Sequence, residues 1–109
     1  MPILEVPKWV SVAESQHLSG WEWLFDRKNL PDRPGIYFVC SDDKSENPIK
    51  YIGQTQSLKK RWSYHHRMND FKNLTKPYIY YSEYPLGRLD FLEKKYIEYI
   101  QPELNGLPL

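Results

Sequence analysis

At 109 residues, 40% of them hydrophobic and 27% charged, the chain has the length and balance of one ordinary globular domain with one modest core. Its single cysteine, Cys40, excludes an internal disulfide and a cysteine-based metal cluster, and its net charge of +1 identifies no partner by itself. No run approaches the ~18 apolar residues that cross a bilayer, so no membrane partner is expected.

The leading segment MPILEVPKWV is interrupted by Pro2, Glu5, Pro7 and Lys8 and lacks the unbroken apolar stretch of a signal peptide. Together with the lone cysteine this gives a cytoplasmic expectation. Within the next residues a helix is expected somewhere in Gly20 to Lys28, ahead of the turn-rich NLPDRPG. Trp9, Trp21 and Trp23 read as packing residues, with a stacking platform for bases as the alternative.

After Pro34-Gly35 the pattern sharpens. GIYFVCS and IKYIGQT are β-branched and aromatic, and the polar SDDKSENP between them makes a hairpin with a long loop. Ser57 can cap a helix running to about Met68. Along it Leu58, Arg61, Trp62 and His65 fall at i, i+3, i+4 and i+7, so an arginine and a histidine share the face that should bury itself. PYIYYSEY follows as a third strand able to lie beside the hairpin. LGRLDFLEKKYIEYI then places Leu89, Leu92, Tyr96, Ile97 and Ile100 on one face of an amphipathic helix. Glu93 lies at the edge of that stripe or inside it. At the edge it would reach water or a lysine; inside, it needs a cation, a hydrogen-bonding partner or a metal.

Charge is distributed unevenly. From Lys50 to Lys76 seven basic residues face one acid, Asp70, which gives +6 there and leaves −5 for the rest. Such a block is either a phosphate-facing surface or a solvated helix face.

Gly35-Ile36-Tyr37 opens one strand of the hairpin and Tyr51-Ile52-Gly53 occupies the other. This resembles the GIY-YIG nuclease domain. The resemblance extends through Arg61 and His65 on the following helix, Glu93 on the next, and Asn105 after a proline, covering roughly residues 34 to 106. It implies a small α/β domain of the α+β type over residues 34–109. Its three-stranded antiparallel sheet would be flanked by helices in the order β-β-α-β-α, with residues 1–33 as an N-terminal extension packed on the core.

The resemblance also implies chemistry. Tyr37, Tyr51, Arg61, His65, Glu93 and Asn105 would form one phosphodiester-cleaving site on DNA. Glu93 would hold one divalent ion, Mg²⁺ or Mn²⁺, since a hard cation keeps most of its waters and asks for one or two carboxylates. Arg61 would clamp the scissile phosphate. Water would be activated by Tyr37 with Tyr51 in support, or by His65, whose ordinary pKa is better matched to a base. Asn105 would fix the site's geometry or bind backbone, unless it is only the turn residue of Asn-Gly. Lys50, Lys59, Lys60 and Arg67 are the candidate DNA contacts.

Six matched positions in order favour an endonuclease over a catalytically silent module of the same fold that binds nucleic acid or a protein. The family's domain usually sits beside a separate DNA-recognition domain, for which this chain offers only its first thirty-odd residues. One site nicks one strand, so cutting both would need a dimer or a second event.

Overall fold

Four strands, β1 (Ser19–Trp23), β2 (Gly35–Ser41), β3 (Ile49–Thr55) and β4 (Pro77–Glu83), form one antiparallel sheet in the order β1-β4-β2-β3. The computed structural model describes residues 19–44, 47–62, 65 and 67–106; Trp9 and the leading segment lie outside them. β2 is buried along its whole length because it has a strand on each side and a packed layer on each face. The expected hairpin is present as β2 and β3, and β4 lies beside it as expected.

The sheet has four strands rather than the three expected, and the extra one replaces the first part of the helix expected over Gly20 to Lys28. Trp21 and Trp23 alternate with Glu22, so both indoles fall on one face and meet the Tyr78 ring edge-on at 6.2 and 6.1 Å. That cross-strand packing outweighs the weak helical preference of the segment. Only Leu24–Asn29 turns helically, as a 3-10 segment. The two tryptophans are thus packing residues, partly buried against the core.

Alternation along the strands divides the core in two. Ile36, Phe38 and Cys40 of β2, with Ile52 and Tyr78, face the long helix Leu89–Ile100, which buries Leu89, Leu92 and Tyr96 against them. Tyr37, Val39 and Ile79 point the other way, toward Leu24, Leu30, Leu58, Trp62 and Phe71. The Cys40 thiol is buried and pushed up to about 12, which leaves it a structural residue rather than a nucleophile.

Two short helices cover the second face: α1 (Leu58–Arg61) and α2 (Met68–Lys72). Ser57 caps α1 as expected, its Oγ accepting the Lys60 N–H at 3.2 Å. The helix does not run on to Met68. It stops at Trp62, and His65 is non-helical. Trp62 and His65 are both buried with their rings stacked, and the His65 Nδ1 takes the Arg67 backbone N–H at 3.0 Å. This local side-chain bond gives the backbone an alternative to the helical ladder.

The long helix, α3 (Leu89–Ile100), ends where Gln101 takes a left-handed φ of 53° and donates its N–H to the Ile97 carbonyl at 2.8 Å, with Pro102 next. A 3-10 turn, Glu103–Gly106, then returns along the outer edge of β3. Among the described residues no helix is long and apolar enough to cross a membrane.

Candidate active site

Tyr37 lies at the centre of the site because of its cross-strand partner. The register sets Tyr37 opposite Gly53, and the phenol lies across that glycine, where a Cβ would overlap its hydroxyl. The glycine therefore lets the hydroxyl reach toward β3, the edge strand, without leaving the core. Tyr37 is only 1% exposed.

Two donors converge on that phenol oxygen. The Arg61 Nε lies 3.4 Å away and the His65 Nε2 3.0 Å away. Because the Arg67 backbone N–H donates to His65 Nδ1, that nitrogen is an acceptor, so the neutral ring carries its proton on Nε2 and donates it to Tyr37. His65, itself 3% exposed, stacks on Trp62 at 4.9 Å and meets Phe71 edge-on at the same distance. These contacts fix its plane. Arg61 and His65 therefore share the inner face for a reason: both address one oxygen, while Leu58 and Trp62 bury the helix beneath them.

Burial dominates the electrostatics. Desolvation pushes the Tyr37 phenol up to about 12, against the opposing hydrogen bond and charge of Arg61. Tyr51, two residues from Gly53 on the same face, has its ring roughly parallel to that of Tyr37 at 6.4 Å, and burial raises it as well. The Glu93 charge adds, as the smallest contribution, to the upward shift of both phenols, although α3 packs on the opposite face.

Glu93 is half-buried, and desolvation raises its carboxyl above the ordinary value, while hydrogen bonds from the Gln54 side chain and backbone counter the shift. Gln54 also donates from Nε2 to Asp90 Oδ1, one turn earlier on α3. It is a residue that sequence reasoning missed. No motif marks it, and only the register that places Gln54 opposite Ile36, on the α3 side, reveals its role. The close contact of Gly53 with Tyr37 likewise emerges only from the register.

Asn105 pairs its side-chain amide with both backbone groups of Ile52: Oδ1 accepts the Ile52 N–H at 2.8 Å, and Nδ2 donates to the Ile52 carbonyl at 2.9 Å. It thereby acts as a short surrogate strand on the β3 edge, between Tyr51 and Gly53. Of the basic residues, Lys59 and Lys60 lie exposed on α1. Lys50 sits where the β2–β3 register shifts and pairs with Asp43 at 3.6 Å. Arg67 is largely buried, not presented to a backbone: its Nε meets Asp70 at 2.7 Å, Nη1 donates to the Leu104 carbonyl, and the guanidinium lies over the Tyr51 ring at 5.6 Å. Its charge braces the site from within.

Among the described residues no group of three or more His, Cys, Asp or Glu is placed to cage a metal. The half-buried Glu93 carboxylate is a hard oxygen ligand. One carboxylate suits Mg²⁺, which retains several waters, and suits neither a thiolate-bound nor an imidazole-bound metal.

The family described as GIY-YIG catalytic domain matches residues 33–106. No curated protein matches the sequence. Among solved structures, the chain is similar to the GIY-YIG N-terminal endonuclease domain of UvrC from Thermotoga maritima. A tyrosine-to-phenylalanine mutant of that domain, bound to its catalytic divalent cation, superposes with a TM-score of 0.61 at 17% identity, covering 77% of this chain and 96% of that one. The magnesium-bound form gives 0.59 at 15% identity, covering 73% and 92%.

Proposed function

The chain belongs to the GIY-YIG catalytic domain family, and from that premise we propose that it is a metal-dependent endonuclease, hydrolysing DNA phosphodiester bonds at the single site around Tyr37. The observation that carries this reading is the convergence of Arg61 and His65 donors on one buried phenol oxygen, within the field of the Glu93 carboxylate.

Hydrolysis by in-line attack needs a base for water, charge stabilisation on the phosphoryl group and help for the leaving 3′-oxygen. Tyr37 is the base in its phenolate form. Arg61 Nε and His65 Nε2–H stabilise that phenolate, and a remaining lone pair accepts the proton of the attacking water. His65 serves as a donor rather than as the base, because its other nitrogen is held by the Arg67 backbone N–H. Arg61 also clamps the phosphate, and the stack of Tyr51 keeps the Tyr37 ring in place. Glu93, oriented by Gln54, would hold one Mg²⁺ or Mn²⁺ ion, which would supply Lewis-acid stabilisation of developing negative charge and would lower the phenol's pKa by its charge. Asn105 positions the edge strand that carries Tyr51 and Gly53. The similar UvrC domain, named an endonuclease and bound to magnesium, supports the choice of cation.

The test is incubation of the folded protein with supercoiled plasmid, branched DNA and flapped DNA in Mg²⁺, Mn²⁺ or EDTA. Metal-dependent nicking is expected. A folded protein inert on every substrate would instead indicate a binding module of the same fold.

A further inference from the structure

A cleft shares Trp62 with the site around Tyr37. The 3-10 segment Leu24–Asn29 and helix α1 enclose this cleft of about 290 Å³, lined by Phe25, Arg27, Lys28, Lys59 and Trp62. Its first three residues precede the stretch that matches the family, so the cleft is a composite of the extension and the family fold.

The cleft is built into the fold. The Arg27 Nε donates to the Trp62 carbonyl at 3.1 Å and its Nη1 to the Leu24 carbonyl at 2.9 Å, tying the segment to α1. The start of α1 is tied back as well, by the Leu58 N–H to the Arg33 carbonyl, the Lys59 N–H to the Pro31 carbonyl, and the Ser57 hydroxyl to Asp32. Against this rigid frame Phe25 stands 79% exposed. An aromatic ring held in water beside three cationic side chains loses apolar burial and gains nothing from the fold. Trp62 is common to both sites: one wall of the cleft, it also meets the Tyr37 ring edge-on at 5.2 Å and stacks on His65.

We propose that this cleft is a subsite for one unpaired nucleotide of the DNA flanking the cut, its base stacked on Phe25 and its phosphate held by Lys28 and Lys59. The proposal rests on the nuclease reading above and names its substrate class, DNA with an unstacked or single-stranded nucleotide beside the scissile bond. Aromatic stacking accepts any base, and clustered cations track a backbone, which together favour single strands without sequence preference. A paired base keeps its neighbours' stacking and cannot lie on Phe25 without flipping out. At about 290 Å³ the cleft is at the small end of ligand pockets, with room for one small group rather than a run of strand.

The test is binding, read in EDTA so that no cutting occurs. Fluorescein-labelled single-stranded oligonucleotide and blunt duplex of the same sequence are titrated with wild type, Phe25→Ala, Phe25→Tyr and Lys28→Ala, while flapped-DNA cleavage is read in parallel with Mg²⁺. Phe25 and Lys28 are exposed, so all variants should melt with wild type. Wild type and Phe25→Tyr should prefer the single strand, and Phe25→Ala should lose roughly ten-fold on it with little change on duplex. Lys28→Ala should weaken single-strand binding and flatten its salt dependence. Equal affinity of Phe25→Ala and wild type, or equal losses on both DNAs, would overturn the subsite and leave the nuclease reading standing if flap cleavage is seen. Selective, Phe25-dependent binding without cleavage would retire the nuclease and overturn the subsite's place beside a cut, leaving a single-strand contact of a binding module. Absence of DNA binding by wild type would overturn both.

Discussion

The Nε2–H of His65 meets the oxygen of Tyr37 at 3.0 Å, while the other ring nitrogen takes the backbone N–H of Arg67. That arrangement makes the histidine a donor and leaves the tyrosine to accept a proton. In the metal-free protein burial holds the phenol up to about 12, and with a bound cation lowering it the phenolate should still be the minor form at neutral pH. The rate should therefore climb with pH through the neutral and mildly alkaline range. A base of histidine type would give a plateau above about 6.5. Single-turnover nicking against pH distinguishes the two. Tyr37→Phe should lower the rate by about 10²- to 10⁴-fold and remove the hydrogen bond between the phenol and His65, at about 0.5–1.5 kcal/mol of stability.

Gly53→Ala tests the close approach. A Cβ there overlaps the Tyr37 hydroxyl, and Tyr37 is too enclosed to swing aside. A displacement of about 1 Å should cost about 10²-fold in cleavage. Overpacking adds about 1–3 kcal/mol of destabilisation. Melting and nicking measured together separate a folded, misaligned site from an unfolded one.

Asn105→Asp keeps the shape of the side chain but turns its Nδ2 donor into an acceptor facing the Ile52 carbonyl. The variant should lose about 1–3 kcal/mol at neutral pH. Protonation of the new carboxyl restores a donor, so the deficit should shrink in acid. Denaturant unfolding at both pH values measures it, and an equal deficit in acid would show that Asn105 does not pin the edge strand.

Glu93 supplies a sign that can be checked. Burial raises its folded pKa above the unfolded value of about 4.3. Its contribution to stability is then complete below that value and lost as pH rises through the raised one. Ionised Glu93 is thus unfavourable at neutral pH in the metal-free protein. Glu93→Gln should melt higher than wild type without metal, with the gap closing in acid. Added Mg²⁺ should stabilise wild type and not the variant.

The parts legible in the sequence are those where one period dominates. Leu89, Leu92 and Tyr96 at helical spacing marked α3, and the alternating β-branched and aromatic runs marked the hairpin. β1 was missed because the Trp-Glu-Trp alternation spans only three residues and gains its stability from Tyr78, far along the chain. The break after Arg61 was missed because the i+7 spacing of His65 fits a helix equally well. What ends the helix is a bond from the Arg67 backbone to a histidine nitrogen. Arg67 itself read as a surface cation, since nothing local announces that Asp70 and the Leu104 carbonyl will hold it inside. The residue types of the site were readable by resemblance. Their partners, such as Gln54 for Glu93 and Ile52 for Asn105, depend on strand register and on contacts distant in sequence.

The most direct measurement is nicking of supercoiled plasmid by wild type and Glu93→Gln across a Mg²⁺ titration, with melting recorded on the same preparations. Wild type should nick in proportion to bound metal and stop in EDTA, while the variant should be folded and inactive at every concentration. Cleavage by Glu93→Gln at the wild-type rate, or wild-type cleavage undiminished in EDTA, would contradict a metal-dependent site organised on Glu93.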